Sequence, residues 1–422
     1  MKICLWYEDN LYEYGAFLNP EYGNNGMAGT QYQYAMLMKY LLKNYQDYEL
    51  YVCHTCPNKL LPGVFSYIYD NVYSALEYIK KQNINLVLYT AGQSTEWYTL
   101  INQFDYDVPF IAWDHNYLSY RELTDLNYCN KIKRIVCCSK ELYETYVDHS
   151  LFKKMTYIFN MVNEDAFEKR NENVKNIVTY MGFLGKQKGF HILAKSWKKI
   201  LNKVPDAELY VAGNGQLYNK NWKLGKYGLA EQSYEDEFIP YLLDNKGKLL
   251  NSVHFLGNIG IVEKKELLSK TKVGVPNPSA KTETYCIVAT EFQSAGVPVV
   301  TRGEYGLCDT VSDGKTGLFS NSQIKLENNI TKLLINNELN IRLSNNCKQF
   351  IKEKFDPEKL IQQWDKLFKE VNNNIENINL PVTGPMKNHY KWLRVINSNI
   401  KKIPGFNKLP SILYWTEKVK RK

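Results

Sequence analysis

Short apolar runs alternate with helical patterns along this chain, and that alternation constrains the fold more than any single motif. Lys2 to Tyr7, Glu49 to His54, Asn85 to Thr90, Val108 to Trp113 and Arg134 to Cys138 read as five strands with helical stretches between them. Strands separated by helices pair in parallel, because the helix supplies the crossover, so the first half is predicted as a doubly wound parallel sheet. A second set starts at Asn176, with strands near Ile177 to Gly182, Ala207 to Gly213, Val253 to Gly257, Lys272 to Val275 and Val297 to Thr301. The chain is therefore α/β with two such halves, and at 422 residues it is long enough to give each its own core.

The predicted divisions are a first domain at 1–165, a second at 166–355, a helix crossing back to the first at 356–376 and a basic aromatic tail at 377–422. The charged, irregular stretch Asn163 to Lys175 reads as the linker. No apolar run approaches the length of a membrane span, and the start Met-Lys-Ile-Cys-Leu-Trp-Tyr-Glu is too short and too quickly acidic for a signal peptide, so a cytoplasmic protein is expected. Nine cysteines fit a reducing compartment. Cys53-His54-Thr55-Cys56 has zinc or redox spacing, but no second Cys or His pair follows, which favours structural thiols. Asp105-Tyr106-Asp107 lies ahead of a strand rather than at its end, and reads as a solvated loop rather than a metal site. No metal ligand set is assigned.

The most informative stretch is Pro276 to Val300, in which a strand breaks at two prolines, a polar loop follows and a helix runs from about Cys286 to Ala295 before Gly296. Helical spacing puts Glu291 on a stripe with Ile287, Val288, Phe292 and Ala295, which should face the sheet. A carboxylate there needs a partner, and ligand hydroxyls would supply one. The plainer alternative leaves Glu291 at the stripe's edge in solvent and Glu283 as an ordinary loop acid. The loop and the positive helix end suit a phosphate or diphosphate, and acids on either side of it suit sugar hydroxyls.

Glu283-x7-Glu291, preceded by Pro-Ser and followed by Ala-Gly-Val-Pro-Val-Val, resembles the donor-site signature of retaining GT-B glycosyltransferases of the glycosyltransferase group 1 (family 4) type. The resemblance covers roughly residues 1 to 372. It implies two Rossmann-like domains facing a cleft, a nucleoside-diphosphate sugar as donor substrate and no cofactor. Glu283 would hold sugar hydroxyls, Glu291 the ribose, Lys188 the diphosphate, and His115, after the fourth predicted strand, the reacting sugar. Gly29 matches the family's glycine loop, and Gly213, Gly257 and Asn258 match two further donor loops. Thr284, Tyr285 and Cys286 stand where the family often has Gly-Phe-Gly, so they, with Ile287 after them, would bind the donor through backbone donors. Ser139 and Asn160 match segments near the interdomain hinge. Phe183 occupies the usual position of an arginine, which leaves one cation missing unless Lys186 replaces it.

Three functions compete. The first is a metal-independent retaining transferase acting on a glycan or lipid-linked acceptor. The second is a catalytically silent sugar-nucleotide-binding protein of the same fold. A Rossmann oxidoreductase is the third, and it lacks a Gly-x-Gly-x-x-Gly followed by an acid about twenty residues on.

The net charge of +9 resides in the tail, since residues 387 to 422 hold eight Lys and two Arg against one Glu. A near-neutral remainder argues against a nucleic-acid groove across the folded domains and for a local basic surface, and no nucleic-acid partner is expected. Two readings of the tail stand side by side: contact with an anionic membrane on its inner, cytosolic face, or packing of its apolar residues on the first domain. Residues 216–252 form an insertion that either serves the acceptor or packs.

Overall fold

The computed structural model describes residues 1–13, 15–171, 174–216 and 221–420. The chain divides into two compact units: residues 1–20, 29–161 and 357–422 form the first, and residues 21–28 and 162–356 the second.

The first unit is built on seven parallel strands: β1 (Lys2–Trp6), β2 (Glu49–His54), β3 (Val64–Ile68), β4 (Leu86–Thr90), β5 (Phe110–Asp114), β6 (Ile132–Cys137) and β7 (Met155–Tyr157). They lie in the order β3-β2-β1-β4-β5-β6-β7, with Ile3 opposite Leu50 on one side and Leu86 on the other. Helices cover both faces, so the central strands bury nearly every residue and read as continuous apolar runs, as in Leu86 to Tyr89. The edge strands β3 and β7 escaped the sequence reading. β3 exposes Phe65 and Ile68 and follows a Pro-Gly turn, so it lacks the buried run that marks its neighbours.

The helix Pro357–Asn372 returns to this unit. Lys43 Nζ meets Glu358 Oε1 at 2.5 Å, the Tyr48 hydroxyl donates to Asp365, and Trp364 packs edge-on against Trp113 with ring centres 4.8 Å apart. The tail packs here as well. Lys391 is fully buried between Glu141, at 2.8 Å, and Glu144, while Arg394 and Asn397 meet Asp148 at 3.5 and 2.8 Å.

The second unit holds six parallel strands: β8 (Ile177–Met181), β9 (Glu208–Ala212), β10 (Val253–Gly257), β11 (Val273–Gly274), β12 (Val299–Thr301) and β13 (Gly317–Phe319), in the order β10-β9-β8-β11-β12-β13. Its short edge strand β13 was not predicted. The order reverses between β8 and β11, and ligands of open α/β sheets bind outside the carboxyl ends of strands at such a reversal. Gly274 in β11 lets the Ile287–Ser294 helix press onto the sheet, since a Cβ there would stand 2.6 Å from the Phe292 ring.

Two expectations need correction. The predicted linker is part of the second unit as far as Asn171: Phe167 and Arg170 are buried, and Arg170 donates from its amide to Ala295 O at 2.9 Å and from Nε to Gly296 O at 3.1 Å. Charge and irregularity suggested solvent, but the guanidinium satisfies helix-end carbonyls. Glu172 and Asn173 lie outside the described residues. The segment 21–28, expected in the first domain, belongs to the second unit, where a Cβ on Gly23 would meet Ile261 at 2.7 Å.

The insertion is a packing element in the residues described, Leu217 to Lys220 being outside them. Glu235 is fully buried and accepts from the amides of Tyr227, Leu229 and Ala230 at 2.8 to 3.1 Å, and Tyr234 and Phe238 enter the core.

Candidate functional site

The loop that leaves β11 is held in an uncommon backbone. Asn277, Ala280 and Thr282 all have positive φ (35°, 59° and 59°), a region that costs a non-glycine residue about 1–2 kcal/mol. The loop is tied down to offset that cost. Thr301 Oγ1 donates to Pro276 O at 2.6 Å, Ser279 Oγ donates to Gln187 O, and Gly306 N donates to Glu283 O at 3.0 Å. Gly189 makes the neighbouring turn possible: its φ is +73°, and a Cβ would stand 2.7 Å from Ser279 N. The loops after β8 and β11 are thereby locked together at the reversal of strand order.

Lys188 and Glu283 meet at this point. Lys188 Nζ donates to Glu283 Oε2 at 2.9 Å, and Asn277 Nδ2 donates to the same oxygen at 2.7 Å. Side-chain exposures of 22% and 9% make this a largely desolvated pair. The expected diphosphate cation and the expected sugar-binding carboxylate are thus adjacent in the second unit.

The Ile287–Ser294 helix begins after Cys286, which provides no side-chain cap, so its first-turn amides keep their positive end uncapped by that residue. Thr284, Tyr285 and Cys286 are buried and Ile287 is half-buried, and Tyr285 stacks edge-on against Phe355 at 5.5 Å. Burial pushes the Cys286 thiol far above its ordinary range, so it is a neutral packing group.

Glu291 is buried, as its stripe required, but its partner is a lysine that the sequence reading missed. Lys264, on the helix Ile261–Lys270, donates to Glu291 Oε1 at 2.8 Å and reaches Asn24 O at 3.4 Å. Ligand hydroxyls are not needed to satisfy the carboxylate. The only signal was the position of Lys264 in the helix that follows β10, at the same sheet edge.

Gly213 and Gly257 lie together behind this site. Gly213 N donates to Gly257 O at 2.6 Å, and a Cβ on Gly213 (φ +118°) would stand 2.1 Å from Gly182 O. Asn258 is exposed just beyond β10. Phe183 packs toward Trp222, with ring centres 5.7 Å apart. Lys186 does not replace the missing arginine: it is 67% exposed and paired with Glu237 at 2.5 Å.

His115 and Gly29 stand in the first unit. His115 follows β5, is buried beside Trp113 at 4.6 Å between rings, and has its pKa lowered to about 3 by burial. Asp114 next to it is pushed up to about 8, again chiefly by burial, with the Tyr146 hydroxyl opposing. At neutral pH the imidazole is uncharged and the carboxyl largely protonated. Gly29 opens the helix Gly29–Asn44. Ser139 caps the Lys140–Glu144 helix by accepting from Leu142 N at 3.1 Å, and Asn160 is buried.

All nine cysteines are free thiols, with Cys53 Sγ 3.6 Å from Cys4 Sγ. Asp105 and Asp107 are exposed. Among the described residues, no group of three or more His, Cys, Asp or Glu side chains is arranged to hold a metal.

Two parallel, doubly wound units with these loops at a strand reversal define the GT-B class of α/β protein, and solved structures bear this out. The chain superposes on sucrose-phosphate synthase from Thermosynechococcus elongatus with a TM-score of 0.67 at 17% identity, covering 88% of this chain and 99% of that one. For Anabaena HepE in complex with UDP the TM-score is 0.64 at 16% identity, covering 88% and 100%. The model of the family "Glycosyl transferases group 1" matches residues 162–350. An uncharacterized glycosyltransferase of Methanocaldococcus jannaschii is 28% identical over 243 residues, 57% of this chain and 60% of that protein. The capsular polysaccharide biosynthesis glycosyltransferase CapM of Staphylococcus aureus is 23% identical over 224 residues, 51% of each chain. The matches therefore span about three-fifths and one-half of those two relatives' length. The family model thus matches less than half of the chain, within the second unit, and the solved structures show the fold.

Proposed function

We propose that the protein is a glycosyltransferase that moves a sugar from a nucleoside-diphosphate donor to a glycan or lipid-linked acceptor with retention of configuration. The observation that carries this reading is the Lys188–Glu283 pair, set between two loops at the strand reversal, with Glu291 about one turn into the Ile287–Ser294 helix that follows. Lys188 would neutralise the leaving diphosphate together with the helix N-terminus, Glu283 would accept hydrogen bonds from donor-sugar hydroxyls and Glu291 from the ribose. His115, uncharged at neutral pH, would meet the sugar as a hydrogen-bonding group. Gly29, Gly213, Gly257, Asn258 and the backbone of 284–287 would complete donor binding. No metal or cofactor is assigned a step, and the cytosol, where nucleotide sugars are made, is the proposed compartment.

The relatives suggest where to begin. HepE is described in complex with UDP-glucose and CapM with capsular polysaccharide biosynthesis, so uridine-diphosphate sugars and bacterial polysaccharide acceptors are the first to test. Glu283→Gln should lower turnover more than affinity, and Glu291→Gln should lower nucleotide affinity more than turnover. Wild-type kinetics in both variants would remove the donor-site assignment. The anomeric configuration of the product, read by NMR, decides retention.

A second reading, a silent sugar-nucleotide-binding protein, is favoured by Phe183 at the arginine position with its ring turned toward Trp222. Calorimetric donor binding with neither donor hydrolysis nor transfer would select it.

A further inference from the structure

The helix Lys391–Ile400 is packed inside out. Its buried stripe is Lys391, Arg394 and Asn397, at helical spacing, and its opposite stripe carries Trp392 and Ile396, each 49% exposed. The hydrophobic effect by itself orders such a helix the other way, with charges in water and apolar groups inside. Here buried acids reverse it. Glu141 and Glu144 hold Lys391, and Asp148 takes Arg394 at 3.5 Å, Asn397 Nδ2 at 2.8 Å and the Ile412 amide at 2.5 Å. These contacts aim the apolar stripe outward.

The outward surface continues past the helix. Ile403 and Phe406 are 52% and 49% exposed in the turns that follow, and Trp415 on the helix Ile412–Lys420 is 52% exposed. Exposed Lys402, Lys408 and Lys418 lie among them. Glu417, the one acid between 387 and 422, turns inward and accepts from the Tyr120 amide at 2.9 Å. The face is thus apolar, aromatic and cationic, with no carboxylate of its own.

We propose that this face docks the first unit on an anionic lipid bilayer, with Trp392, Ile396, Ile403, Phe406 and Trp415 entering the interfacial layer and the lysines meeting lipid phosphates. Aromatic rings favour that depth, and cations beside them select an anionic surface. A second copy of the chain fits less well. A two-fold contact sets a patch against itself, and this one would bring Lys402 and Lys408 of both copies into one interface with no acid of the tail to answer them. The inference stands on the packing of the tail and does not rest on the transfer reaction. No helix among the described residues is long and apolar enough to cross a membrane, so the attachment is peripheral.

Co-sedimentation of the full-length protein with vesicles of equimolar phosphatidylglycerol and phosphatidylcholine tests it. Wild type is expected to pellet at low salt and to release at 1 M salt, where the Debye length is about 3 Å. Lys402→Gln/Lys408→Gln should weaken partitioning roughly thirtyfold, about fivefold for each lysine. Trp392→Ser/Phe406→Ser should abolish pelleting while leaving the melting temperature unchanged, because both side chains are half in solvent. Failure of wild type to pellet, equal pelleting of all forms, or equal pelleting with pure phosphatidylcholine would overturn the proposal. So would a dimer in sedimentation velocity that Trp392→Ser/Phe406→Ser splits, which would make the occupant a second copy.

Discussion

Lys264→Met tests whether the carboxylate of Glu291 is held in place by its lysine. The side chains are 13% and 8% exposed and 2.8 Å apart, so the contact is a desolvated, charge-assisted hydrogen bond rather than a surface pair. Such a bond contributes about 1.5–3 kcal/mol, and breaking a buried ion pair from one side costs about 3–5 kcal/mol because the other charge is left without its counter-ion. Partial exposure puts this pair near the lower end, about 3 kcal/mol. Methionine preserves most of the volume, so packing loss adds little. For a unit of this size that loss lowers the melting temperature by about 6–12 °C. Glu291→Gln in the same chain removes the stranded charge and should recover most of the loss, giving a coupling of about 2 kcal/mol in a double-mutant cycle followed by urea unfolding. Calorimetry with UDP on the folded single variant reads the functional side: nucleotide affinity should fall, since nothing then orients the carboxylate. A single variant within about 0.5 kcal/mol of wild type, or strictly additive effects in the cycle, would refute the reasoning and reduce the contact to a surface pair.

Two further outcomes follow from the same geometry. Transfer should persist in EDTA, because Lys188 and the helix end supply the positive charge at the diphosphate; turnover lost to chelator and restored by manganese or magnesium would revive Asp105 and Asp107 as ligands. Asp114→Asn should flatten the decline in stability between about pH 4 and 8: a carboxyl raised to about 8 contributes fully below its unfolded value near 3.9 and loses that contribution progressively as pH rises from there through 8, whereas His115, lowered to about 3, contributes fully above about 6.5 and loses it toward acid in both proteins. Wild type should lose stability relative to the variant steadily from about pH 5 to 8, and the difference in melting temperature should level off above about pH 8.

What could be read in the sequence was what local spacing encodes. The doubly wound alternation was legible because buried parallel strands are continuous apolar runs; β3, half in solvent at an edge, is not, and it was missed. Glu283 and Glu291 were legible as a pair because eight residues of loop and helix fix their separation. Lys264 was not, because it reaches Glu291 from a helix 27 residues earlier and only the packing of that helix on the sheet edge brings it there. The stretch around Arg170, read as linker, was misjudged for the same reason: the Gly296 carbonyl that its guanidinium meets, just past the Ile287–Ser294 helix, is 126 residues away.

The tail shows a deeper limit of periodicity. The spacing of Trp392 and Ile396 against Lys391, Arg394 and Asn397 establishes two opposed stripes, but a period carries no sign: it does not say which stripe faces the protein. That sign is set by Glu141, Glu144 and Asp148, some 250 residues earlier, which are buried and are answered by the tail's cations. Breaking one partner of such a cluster costs several kcal/mol, so the acids specify the orientation of the helix even though an apolar contact would have stabilised it as well. Replacing Glu141, Glu144 and Asp148 together by apolar residues would remove the reason for Lys391, Arg394 and Asn397 to face inward. The helix would then be free to turn Trp392 toward the protein, and its outward face would cease to be apolar.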